Sequence, residues 1–460
     1  MTIRHASRLA LAVTVSIVLP VSVAAQTDDP AQIRALAAGY EAAFTCSATF
    51  NADRSPQQVG ANELTAIYPE YRGDAAALKA EVHADEKYVA VPFAENMAPR
   101  IAVWRENLGC TQLPIGAAYG DMALPHLPLS ATMAKPERPA PLPRAEDAAL
   151  SALVSAAFDS RSYGPGSKTS AVMIVKDGKV VGERYAHGIS ATTPQRTWSV
   201  AKSIAGTMLG VAAGKGLIDL SAPAPIPEWQ APGDPRSKIT TEQLMRMASG
   251  LTSDFAGNRT DAIYVGGTSV ADSAPGLPLL HAPGSHFRYA NNDILLAAYA
   301  LHNAMWESGD YLALPYRELL WPIGMVDTYL ETDWRGDFVM SSQVWTSSED
   351  LARLGQLYLN DGVKDGTRIL PKGFVDFVSS RSGPQPEGRD WGYGATFWVA
   401  PPELGLPEGT FAAMGNRGQY LVIVPSLDLL VIRRGYDPIG EDKNFDVTSF
   451  ARDVIAAVGQ

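Results

Sequence analysis

The sequence predicts an α+β fold, in which helices flank an antiparallel sheet and a helical subdomain packs beside it, with a small N-terminal α/β module. A strand-turn-strand pattern near residue 171 is followed by helical, loop-rich sequence, and three more strand-like runs come only before the closing helix. Strands grouped at the two ends of a helical stretch favour an antiparallel sheet over a doubly wound parallel sheet. The 460 residues, 46% hydrophobic and 19% charged, suffice for a sizeable core in more than one domain.

Residues 1–25 have the pattern of a secretory signal peptide. Arg4 and Arg8 precede an uncharged run over residues 9–23, and small residues follow before Gln26. The alternative is an uncleaved anchor, although the run is short for a spanning helix, which needs about 20 residues. No other stretch of the sequence reads as a membrane span. We therefore expect a periplasmic or secreted protein.

Residues 26–134 are predicted to form the N-terminal module, with short helical and strand-like stretches at 30–44, 88–92 and 100–104. Its Cys46 and Cys110 are the only cysteines of the chain. An oxidising compartment favours a disulfide between them, which would stabilise the fold by about 4 kcal/mol on the chain-entropy model. Two buried free thiols are the alternative.

Proline-rich sequence over residues 135–146 cannot hold a helix or a central strand and is predicted to be a linker. The main domain then covers 147–460. Asp177-Gly178 lies between two β-prone runs, which is a strong hairpin signal. The other expected elements of this region are helices at 145–158, 199–216, 350–359 and 444–458 and strands at 410–414, 419–424 and 428–433.

Charge and missing motifs exclude several classes of function. With 38 basic and 49 acidic residues the net charge is −11, which argues against nucleic acid or an anionic membrane as partner. The sequence has no Gly-x-Ser-x-Gly elbow, no His-Glu-x-x-His and no phosphate-binding glycine loop after a strand. A small-molecule substrate remains the expected partner, and nothing in the sequence specifies an oligomeric state.

Ser199 and Lys202 form the only Ser-x-x-Lys motif of the chain. On a helix this spacing puts both side chains on one face, one turn apart, which suits a nucleophile with a base beside it. The lysine can accept a proton near neutral pH only if burial or neighbouring cations lower its pKa from about 10.4. An isolated Ser-x-x-Lys is more often an ordinary surface pair, so the context decides.

Two further segments supply that context. Tyr289 and Asn291 lie in a polar segment, where a tyrosine can shuttle protons and an asparagine can hold a substrate amide. Asn416, Gly418 and Gln419 lie in a loop between two predicted strands, where glycines allow a close approach to a ligand. A backbone amide of that loop could donate to an oxyanion. A tight hairpin without a ligand is the alternative reading of the loop.

Taken in order, these segments resemble the serine β-lactamase and penicillin-binding-protein superfamily, specifically the class C β-lactamase-related serine hydrolases. That group includes esterases, D-aminopeptidases and 6-aminohexanoate-dimer hydrolases. The resemblance covers about residues 165–460 and rests on the joint order of phrases at 198–203, 215–220, 239–251, 287–292, 347–353 and 418–431.

The resemblance implies a role for each site residue. Ser199 would be the acylated nucleophile, Lys202 its proton acceptor, and Tyr289 the proton donor to the leaving group. Asn291 would sit at the substrate, and the amides of Ser199 and Gln419 would hold the oxyanion. No metal or cofactor takes part in such a reaction.

The sequence departs from its relatives at one place. Penicillin-recognising enzymes usually carry Lys-Thr-Gly on the strand beside the site, and many esterase relatives carry His-x-Gly, whereas the matching triplet here is Asn416-Arg417-Gly418. The missing cation favours the 6-aminohexanoate-dimer hydrolase and esterase branch, with an ester or small amide as substrate. A β-lactamase or D,D-peptidase is the second hypothesis, and a non-catalytic binding protein of the same fold is the third.

Overall fold

The computed structural model describes residues 29–129, 133–145, 147–253, 260–439 and 444–459. The predicted signal peptide lies outside them. The helices are α1 (Pro30–Ala52), α2 (Pro56–Asn62), α3 (Pro69–Ala77), α4 (Ala148–Ala156), α5 (Val200–Gly214), α6 (Thr241–Met245), α7 (Asp261–Tyr264), α8 (Val270–Ser273), α9 (Asn291–Ala304), α10 (Ser348–Leu359), α11 (Phe374–Ser379) and α12 (Val447–Val458). None of the helices in these ranges has the length and apolar character that a membrane crossing requires.

The strands form sheets of seven, four, three and two members. They are β1 (Glu81–His83), β2 (Tyr88–Val91), β3 (Arg100–Arg105), β4 (Gly109–Gln112), β5 (Thr169–Lys176), β6 (Lys179–Tyr185), β7 (Gln195–Arg196), β8 (Tyr329–Leu330), β9 (Val344–Thr346), β10 (Val363–Lys364), β11 (Thr367–Arg368), β12 (Gly392–Tyr393), β13 (Trp398–Val399), β14 (Phe411–Gly415), β15 (Gln419–Val424) and β16 (Leu429–Gly435).

The seven-stranded sheet has the order β12-β13-β14-β15-β16-β5-β6, and each neighbouring pair is antiparallel. The predicted α+β class is therefore confirmed. The hairpin of β5 and β6 turns at Asp177 and Gly178, whose φ angles of 49° and 71° are the left-handed values that such a two-residue turn requires.

Helices cover both faces of this sheet. Ile174 and Val431 are cross-strand partners and share one face, where α4 packs against Gly182 of β6. Leu430 points to the opposite face and packs against Gly355 of α10, because neighbouring residues of a strand alternate between faces. Each glycine lets a helix approach the sheet closely, since a Cβ atom on Gly355 would lie 2.7 Å from the Leu430 side chain.

Helix α5 lies on the same face as α10. The hydroxyl of Thr207 in α5 hydrogen bonds with that of Tyr358 in α10 at 2.8 Å. A Cβ atom on Gly206 would overlap the side chain of Thr396, so α5 is packed tightly along its length. This packing fixes the axis of α5, and with it the place where the helix begins.

The N-terminal region contains α1 to α3 and the four-stranded sheet β1-β2-β3-β4. Cys46 of α1 and Cys110 of β4 form a disulfide with a Cα–Cα distance of 6.1 Å. The carboxylate of Glu331 accepts hydrogen bonds from Ser47 at 2.6 Å, Asn51 at 3.2 Å and the backbone amide of Cys110 at 3.1 Å. A buried acceptor of the C-terminal part of the chain thus receives donors from the N-terminal part.

Helix α1 is longer than its sequence predicts, ending at Ala52 instead of residue 44. Its last turns contain Thr45, Cys46 and Ser47, which are weak helix formers. All three are buried, so tertiary packing overrides their intrinsic preference. Helix α12 begins at Val447 instead of the predicted residue 444. Asp446 caps this start by accepting a hydrogen bond from the Ser449 amide at 2.9 Å.

Candidate active site

Ser199 is the N-cap residue of α5, at the end of a constrained turn. Trp198 before it has φ of +50°, a strained value for a residue with a bulky side chain. The guanidinium of Arg196 lies 4.0 Å from the Trp198 ring and donates to the Ser342 hydroxyl at 2.8 Å. These contacts hold the serine at the helix start, where the amides of Val200 and Ala201 donate to the carbonyl oxygen atoms of Thr197 and Trp198.

Lys202 is one helical turn further along and is only 1% exposed. Its Nζ donates to the Ser199 Oγ at 2.9 Å, the Asn291 Oδ1 at 2.6 Å and the Ser341 carbonyl oxygen at 2.8 Å. Burial disfavours the charged ammonium and lowers the pKa of Lys202 to about 7. A large share of the molecules therefore carries a neutral amine at neutral pH.

The geometry around this amine suits a base. A neutral amine has two N–H bonds and one lone pair. The oxygen atoms of Asn291 and Ser341 can accept the two N–H bonds, because neither has a proton to give. The lone pair is then left to accept the hydroxyl proton of Ser199, the third neighbour of Nζ.

Tyr289 comes from the segment that leads into α9 and lines the same cavity as Ser199. The ring lies 5.1 Å from Lys202 Nζ and packs against Trp398 and Tyr393, at centroid distances of 5.2 and 5.9 Å. Burial raises the pKa of Tyr289 to about 12. The phenol is therefore protonated at neutral pH and available as a proton donor.

Strand β14 reaches the nucleophile at Gly415. A Cβ atom on this residue would lie 2.4 Å from the Thr197 carbonyl oxygen and 3.0 Å from the Ser199 amide nitrogen. Residues 416–418 are the turn between β14 and β15, with φ of 56° at Arg417 and 75° at Gly418. The residues of β14 that lie beside the site are Met414 and Gly415, and the 416–418 triplet follows them in the loop between the two strands.

Gln419 is not among the residues that line the cavity, and the expectation that its amide holds the oxyanion stays a prediction. It pairs with Gly415 at the base of the turn. Its side chain accepts from Arg434 Nε at 2.7 Å and donates to the Gly435 carbonyl oxygen at 2.6 Å, so it belongs to the interior of the sheet. Asn416 and Gly418 do line the cavity, as does Asn291.

Arg417 is 2% exposed, and its guanidinium is hydrogen bonded to backbone. It donates to the carbonyl oxygen atoms of Asp437 at 3.0 Å, Glu63 at 3.3 Å and Thr65 at 2.7 Å. The only charged side chain of the turn is therefore engaged with backbone, including backbone of the N-terminal region.

The cavity in front of Ser199 has a volume of about 670 Å³. Arg389 stands at its edge, exposed, with its guanidinium 5.6 Å from the Trp398 ring. Seven aromatic residues contribute to its wall: Tyr68, Trp198, Tyr264, Tyr289, Trp391, Trp398 and Tyr420. The site is thus a broad pocket whose wall combines aromatic rings with polar groups.

Sequence reasoning missed two features of this site. The carbonyl oxygen of Ser341 contacts Lys202, but a backbone atom leaves no signature in residue type. Tyr68 comes from the N-terminal region, which lies outside the stretch that carried the resemblance. No signal in the sequence connected either residue with the motif at 199–202.

An antiparallel sheet flanked by helices, with a serine and a buried lysine at the start of a helix beside one strand, defines the penicillin-binding and β-lactamase class of fold. The chain belongs to the Beta-lactamase family, whose model matches residues 155–433. The match begins after the N-terminal region, and it includes the cavity-lining residues that the structure describes except Tyr68 and Asn444.

Similar proteins agree with this family. A 6-aminohexanoate-dimer hydrolase from Paenarthrobacter ureafaciens is 24% identical over 294 residues, covering 58% of this chain and 72% of the relative. A Bacillus anthracis structure named for the 6-aminohexanoate-dimer hydrolases superposes with a TM-score of 0.58 at 22% identity, covering 70% of this chain and 88% of that one. An octameric penicillin-binding protein homologue from Pyrococcus abyssi gives 0.53 at 16% identity, covering 68% and 77%.

Proposed function

We propose that the protein is a serine hydrolase that forms an acyl-enzyme on Ser199 and hydrolyses an ester or small amide. The observation that carries the proposal is the buried amine of Lys202, with its lowered pKa, 2.9 Å from the Ser199 hydroxyl. A lysine that burial keeps partly neutral is a competent general base for a serine one turn away. Similarity to a 6-aminohexanoate-dimer hydrolase supports the choice of an amide or ester.

In the proposed acylation, the lone pair of Lys202 accepts the proton of Ser199 while Oγ attacks the substrate carbonyl carbon. The oxyanion is held by the backbone amides of Ser199 and Asn416, which replaces Gln419 because it lines the cavity next to Gly415. Tyr289 gives its proton to the leaving oxygen or nitrogen, and the Lys202 ammonium restores it.

Deacylation repeats these steps with water. Water loses a proton to the neutral Lys202 as it attacks the ester carbon of the acyl-enzyme. The second oxyanion collapses and releases the acid, and Ser199 Oγ leaves and takes up the proton that Lys202 holds. The free enzyme is thereby regenerated with Lys202 neutral, and one water has been consumed for each bond cleaved.

An ester or small amide fits the site better than a β-lactam. The strand residues beside Ser199 are Met414 and Gly415, which carry no charge, and Arg417 is turned toward backbone carbonyl groups. A β-lactam carboxylate would lack the strand cation that usually pairs with it. We expect nitrocefin to be turned over much more slowly than a simple activated ester.

We also propose that the protein is exported. The Cys46–Cys110 disulfide is typical of an oxidising compartment. The pattern of residues 1–25 is the second support, since it has the charge, apolar run and small residues of a signal peptide.

The test is intact-mass analysis after exposure to a fluorophosphonate and, separately, to p-nitrophenyl acetate. We expect one adduct on the wild type and none on Ser199→Ala, because only an activated hydroxyl reacts with both reagents. Ser151→Ala, an exposed serine of α4, is the matched control and is expected to keep the adduct. A Ser199→Ala variant that retained turnover would contradict the assignment, and a folded wild type without any adduct would favour the non-catalytic binding protein.

A further inference from the structure

One wall of the catalytic cavity comes from outside the matched family region. Tyr68 precedes α3 in the N-terminal region and lines the cavity together with Ser199. Its ring packs edge-on against Trp198, with centroids 6.3 Å apart and planes at 70°. Trp198 is the residue directly before the nucleophile, so Tyr68 packs against the immediate neighbour of Ser199.

The segment before Tyr68 is tied to the catalytic region by backbone hydrogen bonds. Arg417 donates to the carbonyl oxygen atoms of Glu63 and Thr65 at 3.3 and 2.7 Å. The amide of Ile439 donates to the carbonyl oxygen of Ala66 at 3.0 Å. Arg417 belongs to the same turn as Asn416, so one short turn positions both a cavity-lining amide group and the segment that carries the tyrosine.

The aromatic rings around Ser199 form two contacting groups. Tyr68 and Trp198 are one group. Tyr289 and Trp398, with centroids 5.2 Å apart, are the other. In the proposed mechanism Tyr289 protonates the leaving group, so the leaving group faces the Tyr289 group and the acyl part is directed toward Tyr68.

We infer that Tyr68 is a specificity-determining residue that contacts the acyl part of the substrate, and that this part is an apolar chain or ring. The inference rests on the proposed function. An aromatic ring offers apolar area and a flat face, which favour an aliphatic or aromatic acyl group over a strongly polar one. The cavity of about 670 Å³ has room for such a group.

The test compares two esters with the same leaving group, p-nitrophenyl acetate and p-nitrophenyl hexanoate. Tyr68→Ala is expected to lower kcat/KM for the hexanoate about tenfold, since a lost apolar contact of about 55 Å² at about 25 cal/mol per Å² corresponds to that factor. The acetate, whose acyl chain is shorter, should change by less than about threefold. Tyr68→Phe keeps the apolar ring and is expected to restore the wild-type ratio of the two esters.

Tyr119→Ala is the matched control, because Tyr119 belongs to the same region, is 46% exposed and stacks on Tyr88. It should leave both esters unchanged. An equal loss on both esters in Tyr68→Ala, or no loss on either, would overturn the acyl-side role. A wild type that hydrolyses neither ester and takes no fluorophosphonate would instead contradict the proposed function, before any Tyr68 variant is measured.

Discussion

The amino group of Lys202 is surrounded by neutral oxygen atoms, those of a hydroxyl, an amide and a carbonyl group. Burial therefore acts against its ammonium form and lowers the pKa to about 7. Raising the pH through this value deprotonates the amine and produces the base. Acylation is thus expected to increase with pH through about 7, whereas an unperturbed lysine would give an increase near 10.4.

The Asn291→Asp variant tests whether the pKa of Lys202 sets the pH dependence of acylation. A carboxylate in place of the amide oxygen, 2.6 Å from Nζ, favours the ammonium form and raises the pKa of Lys202. The rising limb of kcat/KM against pH should move at least about one unit upward, with a loss of at least about tenfold at pH 7. Recovery of activity at higher pH separates this effect from misfolding.

Asn303→Asp makes the same substitution at the other end of α9 and serves as the control. The Nδ2 of Asn303 donates to the Tyr299 carbonyl oxygen of its own helix, away from Lys202. Its pH profile should coincide with that of the wild type. An unshifted limb in Asn291→Asp would mean that Lys202 is not the base that the profile reports.

Single residues were predictable where side-chain type carries the chemistry. The spacing of Ser199 and Lys202 and the resemblance around Tyr289 pointed to side chains that lie close together in the structure, with Lys202 beside both of the others. The assignment of the second oxyanion donor to Gln419 stays a prediction, because it depends on where a strand ends. If the strand ends two residues earlier or later, a different backbone amide faces the cavity. The spacing of the motif residues does not determine where the strand ends.

At the scale of elements, the end of β14 must pass close to the start of α5. Gly415→Ala adds a methyl group that would meet the Thr197 carbonyl oxygen at 2.4 Å and the Ser199 amide nitrogen at 3.0 Å. The nucleophile turn would have to shift, and a displacement of about 1 Å at a reacting group can cost about 100-fold in rate. We expect a loss of that size in kcat/KM with p-nitrophenyl acetate.

Gly73→Ala is the control for this variant, because a Cβ atom there meets nothing within 4 Å. Thermal unfolding of both variants shows whether the fold survives, and we expect Gly415→Ala to remain folded with slower fluorophosphonate labelling. Wild-type labelling and turnover in Gly415→Ala would show that β14 does not constrain Ser199.

The sequence predicted elements with local signals and missed those that depend on distant partners. The β5–β6 hairpin has its Asp-Gly turn, and the strands corresponding to β14, β15 and β16 have continuous β-prone runs. Strand β7 is two residues long and pairs with β9, which is distant from it in the chain. A strand of two residues is too short to show an alternating hydrophobic pattern, so it could not be predicted from the sequence.

At the scale of the whole molecule, a disulfide cross-links the N-terminal region internally. Buried polar contacts connect this region to the C-terminal part of the chain. Replacing Cys46 and Cys110 with serine together should lower the free energy of unfolding by roughly 4 kcal/mol, since the bond closes a loop with a separation of 64 residues. Urea denaturation of the double variant and of the wild type, each with and without reductant, measures the difference.

In that experiment reductant should lower the free energy of unfolding of the wild type and leave that of the double variant unchanged. Equal stability of the two proteins without reductant would contradict a stabilising disulfide. The variant also shows whether the N-terminal region remains docked, because a loss of Tyr68 from the cavity would alter the ratio of acetate to hexanoate turnover.

The predicted boundary between the N-terminal module and the main domain stays a prediction. The contacts across this boundary could not be predicted from the sequence. Buried apolar residues from both regions form one continuous cluster. Glu331 and Arg417 meet partners more than 200 residues away in the chain, at Ser47 and Thr65. Contacts of that separation leave no local pattern, so only the fold reveals them.

The order of strands in the seven-stranded sheet also affects how the chain folds. Strand β5 pairs with β16, although the two lie at opposite ends of the family region. Pairings this distant in sequence close slowly, because the entropy of a long loop is lost before the contact forms. Until β16 is synthesised, β5 keeps an open hydrogen-bonding edge that invites aggregation. The nascent chain therefore reaches its last strands with its central sheet unclosed, and it needs protection from other chains until then.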